Sequence, residues 1–191
     1  PTVRGEKICA MAITEPGAGS DAASISTTAT LDGDEWVLNG RKHFISDGDI
    51  ADYVIVMAVH DKDKRARGGI SLFLVDKGTP GFEMTSVQAM MGHRGYGHAE
   101  LVFENVRIPK DAVMGEVGEG FKLIMSSVSG IRLAHIGARA VGMASRVLEL
   151  MRNYANDRKQ FGQPIGDFQM VQQQIADSAV EIFATRMMVL N

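Results

Sequence analysis

The chain has 191 residues, and its 45% apolar and 23% charged side chains are typical of a globular protein. A formal net charge of −3 and the absence of an apolar run long enough for a bilayer argue against nucleic-acid binding and against a membrane span. The single cysteine, Cys9, excludes a disulfide framework, and no metal site is expected.

The first half of the chain has the pattern of short β-strands separated by turns. Apolar or β-branched runs end at glycine, proline, asparagine or aspartate, as strands of an antiparallel sheet do. The dipeptide Asn39-Gly40 tolerates positive φ and predicts a hairpin turn between two strands. Strands are predicted over residues 8–14, 24–31, 35–38, 41–45, 53–59, 70–75, 82–87 and 99–108.

The second half changes to a helical repeat of apolar residues. Two long helices are predicted on either side of Gly162-Gln163-Pro164, with Asp167 as the N-cap of the second. Glycines within the first helix indicate close packing against another helix or a ligand; they are Gly130, Gly137 and Gly142.

These patterns predict an α+β fold. We expect an antiparallel β-sandwich or barrel-like domain over residues 1–113, followed by two long helices of an incomplete helical bundle over residues 114–191. The chain begins without methionine and stops inside a helical pattern, so we expect it to be part of a longer protein.

Residues 12–21, AITEPGAGSD, form the most distinctive loop of the sequence. Their spacing imitates the dinucleotide fingerprint G-x-G-x-x-A, which requires a helix directly after the glycines. The residues that follow, SDAASISTTAT, are rich in β-branched and hydroxyl side chains instead. A Rossmann turn is therefore disfavoured, and both a plain surface turn and a ligand-binding loop remain open.

Four stretches resemble, in the same order, the acyl-CoA dehydrogenase family. They are AITEPGAGSD at 12–21, NGRKHFIS at 39–46, FENVRIP with MG and GEGF between 103 and 121, and RKQFGQPI with FQ between 158 and 169. The resemblance covers nearly the whole chain. It implies that residues 1–113 are the family's middle β domain, which binds flavin and acyl-CoA, and that residues 114–191 are the first part of its C-terminal helical domain.

The resemblance also implies an activity, the FAD-dependent α,β-dehydrogenation of an acyl-CoA thioester to the trans-2-enoyl-CoA. Two alternatives remain open: a flavin-dependent acyl-CoA oxidase or monooxygenase of the same fold, and an inert truncated domain. No catalytic base is assigned within the chain. Glu15 is a tempting candidate but lies in the flavin-binding turn, and the base is expected beyond Asn191.

The resemblance implies that the cofactor is FAD and that two sets of residues bind ligands. In the stretch that matches residues 39–46, which the resemblance implies is the second to contact the flavin, the family often carries Trp and Thr where this chain has Phe44 and Ser46. Ser20 and Arg132 are implied to contact the substrate, although Arg132 stands one position early. The residues implied to bind FAD are Met11, Ile13, Thr14, Gly19, Ser20, Phe44, Ile45, Ser46, Arg158, Phe161 and Gln169.

The same resemblance implies the partners and the location of the protein. In the family the arginine that matches Arg158 reaches the FAD of a neighbouring subunit, which implies a homo-oligomer, either a dimer or a tetramer. Acyl-CoA is the implied substrate, and an electron-transfer flavoprotein is the kind of acceptor expected. The implied location is the bacterial cytoplasm or the mitochondrial matrix.

Overall fold

The computed structural model describes residues 1–92, 95 and 97–191, and of Leu133 the backbone alone. The chain forms two compact units, Pro1–Ile124 and Met125–Asn191. No helix among the described residues is long and apolar enough to cross a membrane.

A curved β-sheet makes up most of the first unit. β1 and β2 pair with β4 in parallel, and all other described pairs are antiparallel. The predicted α+β class is confirmed, and the two parallel pairings are a difference in detail. Long connections allow them, because a parallel pair cannot be closed by a tight hairpin. The strands are β1 (Cys9–Ala12), β2 (Thr28–Asp32), β3 (Glu35–Ser46), β4 (Tyr53–Val59), β5 (Ile70–Asp76), β6 (Phe82–Val87) and β7 (His98–Pro109).

The core of the first unit is built from the inward side chains of this sheet. Trp36 and Phe73 meet edge to face with ring centroids 5.1 Å apart, and Phe82 stacks on Phe103 at 4.9 Å. Burial of such a large apolar side chain stabilises a fold by about 1.5–3 kcal/mol. This core therefore holds the strands in place, and with them the loops at the sheet edge.

Asn39 and Gly40 do not form the predicted hairpin turn. β3 runs through both residues as one strand. A Cβ atom at Gly40 would lie 2.7 Å from the Cα atom of Thr27, so glycine is required by close backbone packing. The side chain of Asn39 accepts a hydrogen bond from the N–H of Asn105 at 2.8 Å, where β7 bulges against β3. Tertiary packing therefore overrides the local preference of this dipeptide for a turn.

The second unit consists of helices and one small hairpin. α1 (Gly120–Asp157) begins in the last residues of the first unit and continues through the second. It is followed by β8 (Lys159–Gln160), β9 (Gln163–Pro164) and α2 (Gln169–Leu190). The predicted N-cap at Asp167 is wrong, because Phe168 occupies that position. Asp167 is instead the last residue of a short 3-10 helix, Ile165–Asp167, that precedes α2.

One of the three helix glycines lies in close packing, as predicted. A Cβ atom at Gly137 would come within 2.6 Å of the side chain of Val189 on α2. Nothing lies within 4 Å of the corresponding position at Gly130 or Gly142 among the described atoms. Close packing is therefore confirmed at Gly137 and, within the described part of the chain, is not seen at Gly130 or Gly142.

Candidate functional site

Residues 12–21, here called the glycine loop, close on themselves directly after β1. Glu15 and Ala18 exchange two backbone hydrogen bonds, of 2.9 and 3.1 Å. Gly19 and Ser20 follow on the exposed side of this turn, and a Cβ atom at Gly19 would meet nothing within 4 Å. A short 3-10 helix, Ala22–Ser24, comes next instead of an α-helix. The loop therefore lacks the helix N-terminus on which a Rossmann turn depends.

The carboxylate of Glu15 anchors this loop to the sheet. One oxygen, Oε2, accepts the N–H and the hydroxyl of Ser26 at 2.7 and 2.6 Å. The other, Oε1, accepts the N–H of Thr27 at 3.0 Å and the ammonium group of Lys42 at 2.8 Å. Both ionised side chains are almost fully buried, Glu15 at 3% and Lys42 at 0% exposure.

The protonation of this pair follows from its surroundings. Burial alone would raise the pKa of Glu15, but the charge of Lys42 and the hydrogen bonds outweigh it and lower the pKa to about 2. Burial lowers the pKa of Lys42 to about 8, against the attraction of Glu15. Near neutral pH Glu15 is therefore ionised and a weak base, so it does not qualify as a catalytic base.

Two hydrogen bonds join the glycine loop to the stretch that contains Phe44. The ammonium group of Lys42 donates to the carbonyl oxygen of Ile13 at 3.0 Å. The N–H of His43 donates to the carbonyl oxygen of Thr14 at 2.8 Å. The structure thus brings together the backbones of the two stretches that the sequence separates by about thirty residues.

A bulge in β3 turns Phe44 away from the core. The register against β7 shifts between Lys42 and Ile45, and Phe44 has a φ of 56°. The ring of Phe44 is 53% exposed and lies edge to face against His43, with centroids 4.0 Å apart. Non-glycine residues in this conformation often mark ligand sites, because the local strain is kept only where it serves a purpose.

The other predicted residues of the first unit differ in what they can offer a ligand. Met11 is 41% exposed at the end of β1. The side chain of Ile45 is 1% exposed and belongs to the core, so only its backbone can contact a ligand. Ser46 is half-buried and opposite His98 of β7.

The second unit carries its own group of predicted residues around the hairpin of β8 and β9. The carbonyl oxygen of Arg158 accepts the N–H of Ile165 at 2.8 Å, which fixes the base of the hairpin. Phe161 stands at its tip with a φ of 53° and 96% exposure. Its ring lies edge to face against Phe168, 6.2 Å away. Gln169 is the first residue of α2 and is exposed.

Arg132 lies on α1, within the second unit, and is exposed. It lines an open groove of about 700 Å³ between α1 and α2. Gly137, Met188 and Val189 contribute to the wall of this groove.

Sequence reasoning missed Lys42 and its partners Ser26 and Thr27. A signal for Lys42 was present, because strand residues alternate between two faces. Trp36, Leu38 and Lys42 lie on the same alternating positions of β3 and are all buried. A lysine in such a row requires a buried anion as its partner, and Glu15 supplies it.

The comparisons with known proteins show that this chain belongs to the acyl-CoA dehydrogenase family. Residues 10–106 match the model of the acyl-CoA dehydrogenase middle domain. Residues 118–191 match the model of the acyl-CoA dehydrogenase C-terminal domain.

Individual relatives resemble the chain along nearly its whole length. The acryloyl-CoA reductase (NADH) of Anaerotignum propionicum is 42% identical over 97% of this chain and 47% of that protein. The human mitochondrial short-chain specific acyl-CoA dehydrogenase is 40% identical over 98% of this chain and 45% of that protein. The structure of butyryl-CoA dehydrogenase from Megasphaera elsdenii has a TM-score of 0.93 and 38% identity, over 100% of this chain and 49% of that one. The chain therefore spans about half the length of these relatives.

Proposed function

We propose that the protein containing this chain catalyses the FAD-dependent α,β-dehydrogenation of an acyl-CoA thioester to the trans-2-enoyl-CoA. Residues 1–113 would bind the flavin and the acyl-CoA, and residues 114–191 would form the first part of a helical domain. The observation that carries the proposal is the match of this chain to the middle and C-terminal domains of the acyl-CoA dehydrogenase family. The two hydrogen bonds of 3.0 and 2.8 Å between residues 12–21 and residues 39–46 support it, because they bring together the two stretches implied to bind the flavin.

The residues of this site fit a flat, mostly apolar cofactor with a polar edge. Phe44 presents an exposed ring in a strained conformation, and aromatic rings stack well on other ring systems. The backbone of Ile13 and Thr14 lies beside it, held by Lys42 and His43. A bound FAD would supply the acceptor for the hydride that leaves the substrate β-carbon.

The chain's own residues would bind and orient the two ligands. Backbone groups of Met11, Ile13 and Thr14 would face the polar edge of the flavin ring. Ser20, exposed beyond the turn, would offer its hydroxyl and N–H to a phosphate or to the thioester ligand. The hydroxyl of Ser46 would donate toward the flavin. Such pre-organisation would hold the reacting atoms in a productive geometry.

The proposal assigns no catalytic base to this chain. Glu15 is unsuitable because its two oxygens already accept four hydrogen bonds and its pKa is about 2. We expect the base in the half of the relatives' length that this chain does not match.

The second unit supports a proposed homo-oligomer in which two subunits share each FAD. Arg158, Phe161 and Gln169 are all exposed around one hairpin, where they could reach a ligand outside their own unit. A guanidinium group fits the oxygens of a pyrophosphate well. Apolar side chains on α1 and α2 are also exposed, such as Ile131 at 65% and Phe183 at 65%, and an assembly would cover such surface.

An electron-transfer flavoprotein is the acceptor that we propose, in the bacterial cytoplasm or the mitochondrial matrix. The human relative is named as mitochondrial, and other relatives at similar identity are bacterial.

Anaerobic reduction of the flavin tests the proposed reaction. The full-length protein is purified, reconstituted with FAD and titrated with acyl-CoA thioesters of increasing chain length. Loss of the flavin absorbance together with formation of the 2-enoyl-CoA is the expected result. A protein that binds no flavin after reconstitution would refute the proposal. Fast reoxidation of the reduced flavin by air would instead favour an oxidase.

A further inference from the structure

We infer that Lys42 is a positioning residue for the flavin-binding loop. Its hydrogen bond to the carbonyl oxygen of Ile13 fixes one peptide group and thereby aims the N–H of Thr14. This inference rests on the proposed function, because it assumes that the loop binds the flavin.

The geometry of the peptide group links the two atoms. A trans peptide is planar, so the C=O of Ile13 and the N–H of Thr14 belong to one rigid group and point in opposite directions. Lys42 lies 3.0 Å from this carbonyl oxygen and defines the direction in which it points. The direction of the N–H of Thr14 follows.

The next peptide group of the loop is fixed as well, by different donors. The carbonyl oxygen of Thr14 accepts the N–H of His43 at 2.8 Å, and the N–H of Glu15 donates to Ala18 at 2.9 Å. Two successive peptide groups are therefore held before any ligand arrives. Only the first of them depends on a side chain, and that side chain is Lys42.

Glu15 fixes Lys42 in turn. The ammonium group lies 2.8 Å from the Glu15 carboxylate, and the carboxylate is held by two backbone N–H groups, those of Ser26 and Thr27. The carboxylate therefore holds the ammonium group of Lys42 within reach of the carbonyl oxygen of Ile13. A buried ion pair contributes little net stability, since desolvation offsets the attraction. Its rigid geometry is what a pre-organised ligand loop requires.

Lys42 lies in β3 between the two parts of the candidate site, the glycine loop and the exposed Phe44. It precedes the bulge that turns Phe44 outward, and its side chain points to the other stretch. A change at Lys42 therefore alters the direction of a donor in the glycine loop without touching the exposed ring of Phe44.

Paired substitutions in the full-length protein test this inference. The double variant Glu15→Gln with Lys42→Met removes the ammonium group without leaving an unpaired buried charge. The variant Lys42→Arg keeps the charge and the donor. Arg41→Met is the matched control, because Arg41 is the adjacent residue, is itself 58% exposed and pairs with Glu100 rather than with the glycine loop. Ser26→Ala removes one hydrogen bond to the carboxylate and leaves the ion pair in place.

The readouts are the FAD dissociation constant of the apoprotein, the visible spectrum of the bound flavin and amide hydrogen exchange over residues 12–15. We expect the double variant to remain folded, to bind FAD about tenfold more weakly, which is the loss of about 1.4 kcal/mol, and to shift the flavin spectrum. Exchange over residues 12–15 of its apoprotein should rise. Lys42→Arg should recover part of the affinity, Ser26→Ala should weaken it about twofold, and Arg41→Met should leave it unchanged.

A purely structural role would lower only the thermal stability of the variants. A folded double variant with unchanged affinity, spectrum and exchange would overturn the inference, and so would an equal effect of Arg41→Met. If the double variant does not fold, unchanged FAD binding by both Lys42→Arg and Ser26→Ala overturns it. Failure of the unsubstituted protein to bind FAD would refute the proposed function itself, and the inference with it.

Discussion

Glu15 and Lys42 form an ion pair of 2.8 Å in which both side chains are at most 3% exposed. They come from the glycine loop and from β3, 27 residues apart in the sequence. Removal of one partner from such a pair leaves an unpaired buried charge, which costs about 3–5 kcal/mol. The stability of the first unit therefore depends on the protonation state of each group.

The first prediction concerns acid stability. The pKa of Glu15 lies at about 2 in the folded protein, below its ordinary value of 4.5. The folded state therefore binds fewer protons than the unfolded state between these values, and stability must rise with pH across this window. The contribution, about 3 kcal/mol, is fully present above pH 4.5 and is lost as the pH falls toward 2. Urea unfolding at a series of pH values measures it.

The variant Glu15→Gln separates this contribution from that of other carboxylates. Glutamine does not ionise, so the variant should lose less stability than the unsubstituted protein over the same acid window, although it starts lower. Identical acid dependence in both proteins would contradict the role assigned to Glu15.

The second prediction concerns Gly40. Substitution by alanine places a Cβ atom 2.7 Å from the Cα of Thr27, in backbone that cannot yield like a flexible side chain. We expect Gly40→Ala to lower the free energy of unfolding by about 2 kcal/mol or more, since overpacking typically costs about 1–3 kcal/mol. Gly17→Ala is the control, because nothing lies within 4 Å of its added Cβ. Equal stability of the two variants would contradict the prediction.

The sequence predicted those parts of the fold that depend on local pattern. The span of β4 follows from its continuous apolar run, and the start of β6 follows from the glycine and proline residues directly before it. Asn39-Gly40 was misread because a hairpin signal and a close backbone contact require the same glycine. Only the position of Thr27 in space decides between them.

The candidate site also depends on contacts between residues that are distant in the sequence, and local patterns do not predict these contacts. The composition of residues 12–21 left a plain turn and a ligand-binding loop open, and only the family resemblance favoured ligand binding. The anchor of this loop at Lys42 depends on a contact with β3, 27 residues away in the sequence. Phe44 was implied to bind FAD only by the family resemblance. The bulge that exposes it arises from a register shift against β7, which no local sequence pattern predicts. The two parallel pairings of β4 are equally non-local.

The third prediction separates binding from stability at Phe44. Its φ of 56° favours glycine and strains any other residue by about 1 kcal/mol. Phe44→Gly relieves this strain and Phe44→Ala does not, so the alanine variant should be the less stable of the two by about 1 kcal/mol. Both should weaken FAD binding similarly, because both remove the ring. Unfolding curves of the apoprotein and FAD titrations measure the two effects; a variant that binds FAD normally without the ring would contradict the stacking role.

The fourth prediction tests Arg158 as a contact for the FAD pyrophosphate. Arg158→Met should weaken FAD binding about tenfold, because hydrogen bonds to charged groups contribute about 1.5–3 kcal/mol. Arg158→Lys should recover only part of the affinity, since lysine lacks the planar fork that contacts two oxygens at once. The difference between the unsubstituted protein and Arg158→Met should shrink as salt is added, because exposed charges are screened.

The control for this series is Arg152→Met, which removes an exposed positive charge on α1, six positions before Arg158. If the loss of affinity came only from a lower net positive charge, both variants would weaken FAD binding alike and with the same salt dependence. A direct contact predicts a loss for Arg158→Met alone.

The proposed contact reaches the FAD of a neighbouring subunit, and this can be tested by mixing subunits. Arg158→Met and Ser20→Ala subunits are each expected to bind FAD weakly, but mixed oligomers should restore some of the sites. The restored site has an intact Ser20 on one subunit and an intact Arg158 on the other. Restoration is measured as bound flavin per subunit after exchange, and its absence despite demonstrated subunit exchange would place both residues at the same FAD from one chain.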